Sequence, residues 1–299
     1  MHLPVLQKEI LEFFNPKPNE NFIDCTIGEG GYALPILEKT APAGKILGID
    51  WDKEQIKNCQ ARLKEFKNRL VLVVDNFAHL KEIVAQTKFG LADGLLLDLG
   101  MSSWHLEKAQ RGFTFLKNEP LDMRYNQDNN LTAEIIVNQW PVTEIEKILK
   151  EYGEERWSKR IAQEIERARK IKPIKTTQDL VSLVKRAIPT RYQHQKIHCA
   201  TRTFQALRIA VNQELENLKK VLEQTIEVLK PDGRLAIISF HSLEDRLVKN
   251  FLQEKKKQNI LKIINKKPIT PSLEEIKINP RSRSAKLRTA ILCHTPTNL

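Results

Sequence analysis

The stretch from Phe22 to Gly31 constrains the fold of this chain more than any other. It starts with the apolar pair Phe22-Ile23, passes through Asp24, and ends in a turn that carries glycines at 28, 30 and 31. Residues 32–39 then show the apolar spacing of a helix. Glycine adopts positive φ and has no Cβ, and a helix N-terminus offers free N–H groups to an anion. The pattern predicts a nucleoside-binding βαβ unit, with a tight turn in any α/β protein as the alternative.

Acidic residues stand where the predicted strands end. Three further apolar runs, 46–49, 70–74 and 94–97, alternate with helical segments, which indicates a parallel sheet covered on both faces. The acids at the four strand ends are Asp24, Asp50, Asp75 and Asp98. Ligands bind at the carboxyl ends of such strands, and this many carboxylates suit a cationic sulfonium nucleoside better than a pyrophosphate. We therefore expect S-adenosylmethionine, with an NAD-linked oxidoreductase as the alternative, because Gly28-x-Gly30-x-x-Ala33 satisfies the loose dinucleotide fingerprint.

The strand pattern stops after Asp98 and resumes near the C-terminus. Residues 109–199 contain no convincing strand, but they contain three predicted helices. The first starts with a capping box at Thr143 and ends at Tyr152, the second covers Glu154–Ile171, and the third extends from Thr176 to Pro189. Beyond them we expect one helix from Thr203 to Leu229, a strand over 234–240 and an edge strand over 287–292. The predicted domains are therefore a discontinuous sheet domain, 1–108 and 200–299, and a helical insert, 109–199.

The charge balance indicates a polyanionic partner. There are 49 Lys and Arg against 37 Asp and Glu, a net charge of +12, which favours nucleic acid, although a solvated basic surface is the alternative. The four cysteines are scattered without a CxxC pair, so we expect free thiols in a reducing cytoplasm. The spacing of His194, His198 and Cys199 is zinc-like but isolated, so no metal site is expected. No run is long enough to span a membrane.

Several longer motifs resemble the bacterial small-subunit rRNA cytosine-N4-methyltransferase family (MraW/RsmH). Besides the glycine turn, the matching stretches are His2-Leu-Pro-Val-Leu6, Asp98-Leu-Gly-Met-Ser-Ser103, Arg111-Gly-Phe-Thr-Phe115, Pro120-Leu-Asp-Met-Arg124, Tyr152-Gly-Glu-Glu155, Ala200-Thr-Arg-Thr-Phe-Gln-Ala-Leu-Arg208 and Ile238-Ser-Phe-His-Ser-Leu-Glu-Asp-Arg246. The resemblance implies an α/β class I methyltransferase (Rossmann-like) fold, a mostly parallel sheet with an inserted all-helical domain. It also implies S-adenosylmethionine as cofactor, a cytidine in the decoding region of 16S rRNA as substrate, and the small ribosomal subunit as partner.

The resemblance also assigns cofactor contacts. The positions that match the family's cofactor-binding residues are Gly30, Gly31, Tyr32, Asp50, Phe77, Asp98 and His105. The chain departs from the family pattern at Tyr32, where His is common, and at Trp104-His105, where the family usually has Pro-Gln. Asp98 is the candidate catalytic residue, as a cofactor contact or as an acceptor for the target amine, with helix capping as the alternative. A scaffold protein that binds RNA without catalysis is a further alternative.

Candidate RNA contacts follow from chemistry and position. Aromatic rings stack on unpaired bases and arginines bind phosphates, although core packing and surface charge are the alternatives for each. The candidates are Trp104, Arg111, Phe113, Arg124, Arg202, Arg208 and His241, and more loosely Phe115, Arg281, Arg283, Lys286 and Arg288. We assign RNA recognition to the helical insert. Either a monomer or a homodimer is expected.

Overall fold

The structure is a computed structural model that describes residues 4–193 and 197–293. Its strands are β1 (Phe22–Asp24), β2 (Ile46–Asp50), β3 (Leu70–Val74), β4 (Ala92–Asp98), β5 (Leu229–Ser239), β6 (Leu261–Ile263) and β7 (Lys286–Leu292). Its α-helices are α1 (Gln7–Phe14), α2 (Ala33–Lys39), α3 (Lys53–Arg62), α4 (Leu80–Thr87), α5 (Ser103–Glu107), α6 (Ala133–Gln139), α7 (Val142–Glu151), α8 (Ser158–Arg169), α9 (Thr177–Ala187), α10 (Thr201–Asn212), α11 (Glu214–Val228), α12 (Ser242–Lys257) and α13 (Leu273–Ile278).

The chain divides into two compact units. The sheet unit comprises Met1–Gly100 and Leu215–Leu299, and the helical unit comprises Met101–Glu214. The structural division therefore falls at residues 100/101 and 214/215, where the sequence predicted 108/109 and 199/200. Among the described residues, no helix is both long and apolar enough to cross a bilayer.

The sheet unit is built on a seven-stranded sheet in the order β3-β2-β1-β4-β5-β7-β6. Strands β1 to β5 pair in parallel, whereas β7 is antiparallel to both β5 and β6. Alternate residues of the central strands enter separate hydrophobic clusters: Leu95 and Leu97 of β4 enter one, and Leu96 enters the other. Because neighbouring strand residues point to opposite faces, the sheet has a core on each face, as the continuous apolar runs predict.

The helical unit has its own hydrophobic core. The expected lack of strands in this part is matched by a single isolated bridge between Pro120 and Thr176 among its described residues. Thr176 caps α9 in a capping box with Asp179, which confirms the predicted start of the third helix at Thr176. The capping box at Thr143 is wrong, since α7 starts at Val142 behind Pro141, whose side chain accepts no hydrogen bond.

Four other predictions about these elements are wrong. The helix predicted over Glu154–Ile171 is limited to α8. The single helix from Thr203 to Leu229 is two helices, α10 and α11, because Gln213 has a φ of 51° and a left-handed residue cannot continue an α-helix. The strand expected over 234–240 is β5, which begins earlier, at Leu229, and includes Pro231–Gly233. The strand expected at the edge, β7, pairs on both sides, so the edge strand is β6.

Candidate functional site

Aspartates stand at the carboxyl ends of three adjacent strands of the sheet unit. Asp24 ends β1, Asp50 ends β2 and Asp98 ends β4, and β1 pairs with both of the others. Asp75 follows β3, and its backbone N–H donates to the Asp50 carbonyl oxygen at 3.1 Å. This edge of the sheet is therefore acidic, as expected from the strand ends.

Two of these carboxyl groups hold their protons unusually tightly. Burial raises the pKa of Asp24 to about 7, with a smaller contribution from the charge of Asp50. Burial raises the pKa of Asp98 to about 8, and the charge of Asp24 adds to this effect. Asp98 is partly exposed as a residue, but its Oδ1, like Oδ2 of Asp24, is buried and has no hydrogen-bond partner among the described residues. Two carboxylate oxygens therefore lack the donors that buried oxygens normally have.

Tyr32 contacts the second oxygen of Asp98. Its buried hydroxyl lies 3.1 Å from Asp98 Oδ2 and 2.6 Å from the carbonyl oxygen of Val5. The sequence analysis assigned Tyr32 to the cofactor and not to Asp98, so this side-chain contact is a feature that sequence reasoning missed.

Asp50 links the glycine turn to the next helix. Its Oδ2 accepts from the backbone N–H of Gly28 at 3.0 Å, and its Oδ1 accepts from Asp52 at 2.9 Å. Asp52 in turn caps α3. A carboxylate oxygen can accept more than one hydrogen bond, so these two contacts do not by themselves prevent Asp50 from accepting one from a ribose hydroxyl.

Gly30 and Gly31 are required by packing within the sheet unit itself. Gly30 has a φ of 77°, and a Cβ there would lie 2.7 Å from Leu63 Cδ1. A Cβ on Gly31 would lie 2.5 Å from Pro4 Cγ. The glycines therefore keep the turn close to α3 and to the N-terminal segment, in addition to any contact with a ligand.

Gln55 is a polar residue that sequence reasoning missed. It lies on α3, is fully buried, and neither its amide oxygen nor its nitrogen has a hydrogen-bond partner among the described residues. The oxygen lies 3.6 Å from the position that a Cβ on Gly28 would occupy. The signal in the sequence was a glutamine next to the apolar Ile56 in α3, whose N-cap Asp52 lies two residues after Asp50.

Phe77 lies in a short 3₁₀-helix, Phe77–His79, directly after β3. It is half-buried and packs against the core on one face of the sheet. Asn76 caps this turn by accepting from Ala78 at 2.9 Å. The Asp75 carboxylate accepts from the Asn76 backbone N–H and lies 2.9 Å from Nδ1 of His79. Asp75 therefore has hydrogen-bond partners close by in the sequence, and Phe77 remains partly exposed.

In the helical unit, His105 lies within a cluster of aromatic rings. The imidazole is buried, its Nδ1 lies 2.9 Å from the Ser102 hydroxyl in a capping box, and ring centroids of Phe113 and Tyr125 lie 5.0 Å away. Trp104 is half-buried beside it at 5.6 Å. The structure therefore brings three predicted site residues, Trp104, His105 and Phe113, into one cluster, and the cofactor contact of His105 stays a prediction.

Most of the predicted RNA-binding arginines have partners inside the helical unit. Arg111 is buried and donates to the carbonyl oxygens of Arg124 and Tyr125. Arg124 forms a two-pronged ion pair with Asp122, at 2.9 and 2.7 Å. Arg208 is buried and forms a second two-pronged pair with Glu214, at 2.8 and 2.9 Å. Arg202 is exposed and donates to the carbonyl oxygen of Glu154.

Among the remaining candidates, Arg281 and Arg283 are exposed in the 3₁₀-helix Pro280–Ser284. His241 is the N-cap of α12, where its ring accepts from the Glu244 backbone. Lys286 and Arg288 both bind Asp245, at 3.0 and 2.7 Å. His198 stacks on Phe115 at 4.7 Å, and His194 of the zinc-like spacing lies outside the described residues.

The acidic edge fits a cationic nucleoside cofactor. Asp24 Oδ2 and Asp98 Oδ1 are buried acceptors without donors, and burial raises the pKa of both carboxyl groups. The methionine ammonium and sulfonium groups of S-adenosylmethionine would supply both donors and positive charge. A dinucleotide pyrophosphate would bring further negative charge to the same edge. The residues present therefore suit the sulfonium cofactor and not the dinucleotide.

Known proteins are similar to this chain over nearly its whole length. A relative from Heliobacterium mobile named Ribosomal RNA small subunit methyltransferase H is 48% identical, over 97% of this chain and 98% of its own length. A relative of the same name from Symbiobacterium thermophilum is 43% identical, over 97% and 96%. A solved rRNA methylase from Streptococcus thermophilus covers 98% of this chain and 99% of its own, with a TM-score of 0.47 and 10% identity.

The family model described as the MraW methylase family matches residues 1–292. The chain belongs to the MraW methylase family, and it is a methyltransferase whose cofactor is S-adenosylmethionine.

Proposed function

We propose that this methyltransferase modifies the small-subunit rRNA, by transferring a methyl group to N4 of one cytidine in the decoding region of 16S rRNA. The names of the relatives support the rRNA substrate. The observation that carries the proposal is Asp98, an acceptor with a buried, unpartnered oxygen at the carboxyl end of β4. Since ribosomal RNA is the substrate, we place the enzyme in the cytoplasm.

An exocyclic amine needs such an acceptor. The N4 lone pair of cytosine is delocalised into the ring, and a hydrogen bond from N4–H to a carboxylate helps to localise it on nitrogen. After methylation the nitrogen is cationic and loses a proton, which the carboxylate can take. S-adenosylmethionine supplies an activated methyl group, so the protein contributes mainly by positioning.

The raised pKa of Asp98, about 8, suits a proton acceptor near neutral pH. Tyr32 holds Oδ2, which leaves Oδ1 for a ligand. Asp50 would accept from the ribose hydroxyls, Phe77 would stack on the adenine, and the amides of Gly31 and Tyr32 would bind the methionine carboxylate. The N–H of Gly30 donates to the carbonyl oxygen of Ile27 at 2.8 Å, so Gly30 would contribute the shape of the turn. The target base must leave its stack to reach this edge.

The proposal is tested by nucleoside analysis of rRNA from a deletion strain. We expect one N4-methyl mark on cytidine to be lost, and to return with a plasmid copy of the gene. The purified enzyme should add the same mark to small subunits from the deletion strain. A methyl group on another base, or on large-subunit rRNA, would contradict the proposal.

A matched variant separates catalysis from binding. Asp98→Asn keeps the shape of the side chain and removes its ability to take a proton, so methyl transfer should fall by about a hundredfold or more, with RNA affinity unchanged. Unchanged turnover would favour an RNA-binding scaffold whose methyl transfer does not depend on this group.

A further inference from the structure

If the helical unit recognises RNA, it needs basic groups that are available to phosphates, and three of the predicted RNA-binding arginines already have partners. Arg111, Arg124 and Arg208 donate to carbonyl oxygens or carboxylates of their own unit. A guanidinium held in this way stabilises the fold, and binding a phosphate would require it to give up those partners. If the substrate is RNA, other cations of the unit must contact its backbone.

Three exposed arginines surround two aromatic rings at another place in this unit. The ring centroids of Trp157 and Tyr192 are 5.5 Å apart. Arg156 lies over both, at 5.2 and 5.6 Å, Arg160 lies over Trp157 at 5.4 Å, and Arg191 lies over Tyr192 at 4.9 Å. We call these five residues the arginine–aromatic surface.

The rings anchor this surface to the fold. Trp157 and Tyr192 are half-buried and pack against the core of the helical unit. The backbone N–H of Trp157 also donates to the buried Glu155 side chain at 2.8 Å. The surface therefore brings together the start of α8 and the turn after α9 on a rigid base.

The arginines of the surface differ in their partners from other arginines of α8 and α9. Arg167 and Arg186 pair with Glu164, and Arg169 pairs with Glu166. Within the described parts of the chain, Arg156, Arg160 and Arg191 show no carboxylate within ion-pair distance, and each is exposed. Stacking on a ring holds a guanidinium in place while its N–H groups remain available at the edge of the plane.

We propose that the arginine–aromatic surface binds the sugar-phosphate backbone of the RNA substrate through its three guanidinium groups; this rests on the proposed rRNA substrate. A phosphate matches the planar fork of arginine, and three such groups close together match successive phosphates of one strand. The arginines cover the ring faces, which favours phosphate contact over base stacking. The net charge of +12 has the sign that binding to a polyanion requires.

The test compares RNA affinity in the full-length protein. The triple variant R156Q/R160Q/R191Q should bind 16S rRNA about tenfold or more weakly near 0.1 M salt, and the slope of log Kd against log salt should fall by about 2. The control K150Q/K172Q/K175Q removes three exposed lysines of the same unit, so it has the same charge change. It should retain nearly the wild-type affinity and slope.

Two outcomes would overturn the proposal. Equal losses in both variants would mean that net charge alone acts, and an unchanged slope in the arginine variant would assign the surface to another partner, such as an acidic protein. Thermal unfolding of both variants shows that each is folded. The nucleoside that the wild-type enzyme produces tests the proposed function. The affinity for RNA tests the arginine–aromatic surface, and it is measured independently of which base is methylated.

Discussion

The hydroxyl group of Tyr32 lies 3.1 Å from Oδ2 of Asp98 and 2.6 Å from the carbonyl oxygen of Val5. A phenol has one proton, and the carbonyl oxygen can only accept. When Tyr32 donates to Val5, the proton between Tyr32 and Asp98 must come from the carboxyl group, whose raised pKa of about 8 favours that form. When Asp98 is ionised, the hydroxyl can donate to it instead. Tyr32 is therefore placed to stabilise both protonation states of Asp98.

Replacing Tyr32 with Phe tests this relationship. The variant keeps the ring and removes the donor to a buried carboxylate, which costs about 1–3 kcal/mol. Because the Tyr32 hydrogen bond lowers the pKa of Asp98, that pKa should rise further in the variant. We expect kcat near neutral pH to fall about tenfold and the pH–rate profile to move toward higher pH. In an Asp98→Asn background, Tyr32→Phe should produce no further shift, and a shift there would contradict the assignment.

The pH dependence of stability should report the buried carboxyl of Asp24. Its pKa is about 7 in the folded protein against an ordinary value of 3.8, so between these values the folded state keeps a proton that the unfolded state has lost. Stability should therefore fall as pH rises through this window, by up to about 4 kcal/mol for this group. Asp24→Asn should flatten the decline in Tm from about pH 5 to about pH 8. The exposed Asp128→Asn is the control, and an equal change there would show that the effect is not specific.

Sequence reasoning located the carboxyl edge of the sheet because that information is local. Apolar runs, their terminal acids and the glycine turn are each readable from neighbouring residues. The contacts within the site are not, since Tyr32 and Asp98 are 66 positions apart. Gln55 was missed for the same reason, because its burial depends on how α3 packs beside the glycine turn.

The break between α10 and α11 and the partner of Arg208 could not be predicted from the sequence either. Gln213 ends α10 in a left-handed conformation that usually selects glycine, so nothing in the sequence marked the break. Arg208 was assigned to RNA because a basic residue alone does not reveal its partner. Its carboxylate, Glu214, lies six positions later beyond that break, where a continuous helix would not bring the two side chains together.

Cofactor binding should release protons. Asp24 and Asp98 hold protons near neutral pH, and a cationic ligand beside them favours the ionised forms. Affinity for S-adenosylmethionine should therefore increase with pH up to about 8. Titration calorimetry in buffers of different ionisation enthalpy should show about one proton released near pH 7. S-adenosylhomocysteine, which lacks the sulfonium charge, is the matched ligand and should release fewer protons; equal release would count against charge recognition.

The pair of Arg208 and Glu214 should contribute to stability rather than to RNA binding. Both side chains are about nine-tenths buried, at 9% and 11% exposed, and they bridge the break between α10 and α11. Glu214→Gln leaves a buried guanidinium without its counter-charge, which should lower the free energy of unfolding by about 3 kcal/mol. Arg208→Met should cost less, because it removes the charge together with its need for a partner. Chemical denaturation measures both costs. The slope of log Kd for rRNA against log salt should stay unchanged in Arg208→Met, whereas a decrease by about 1 would mean that Arg208 contacts a phosphate after all.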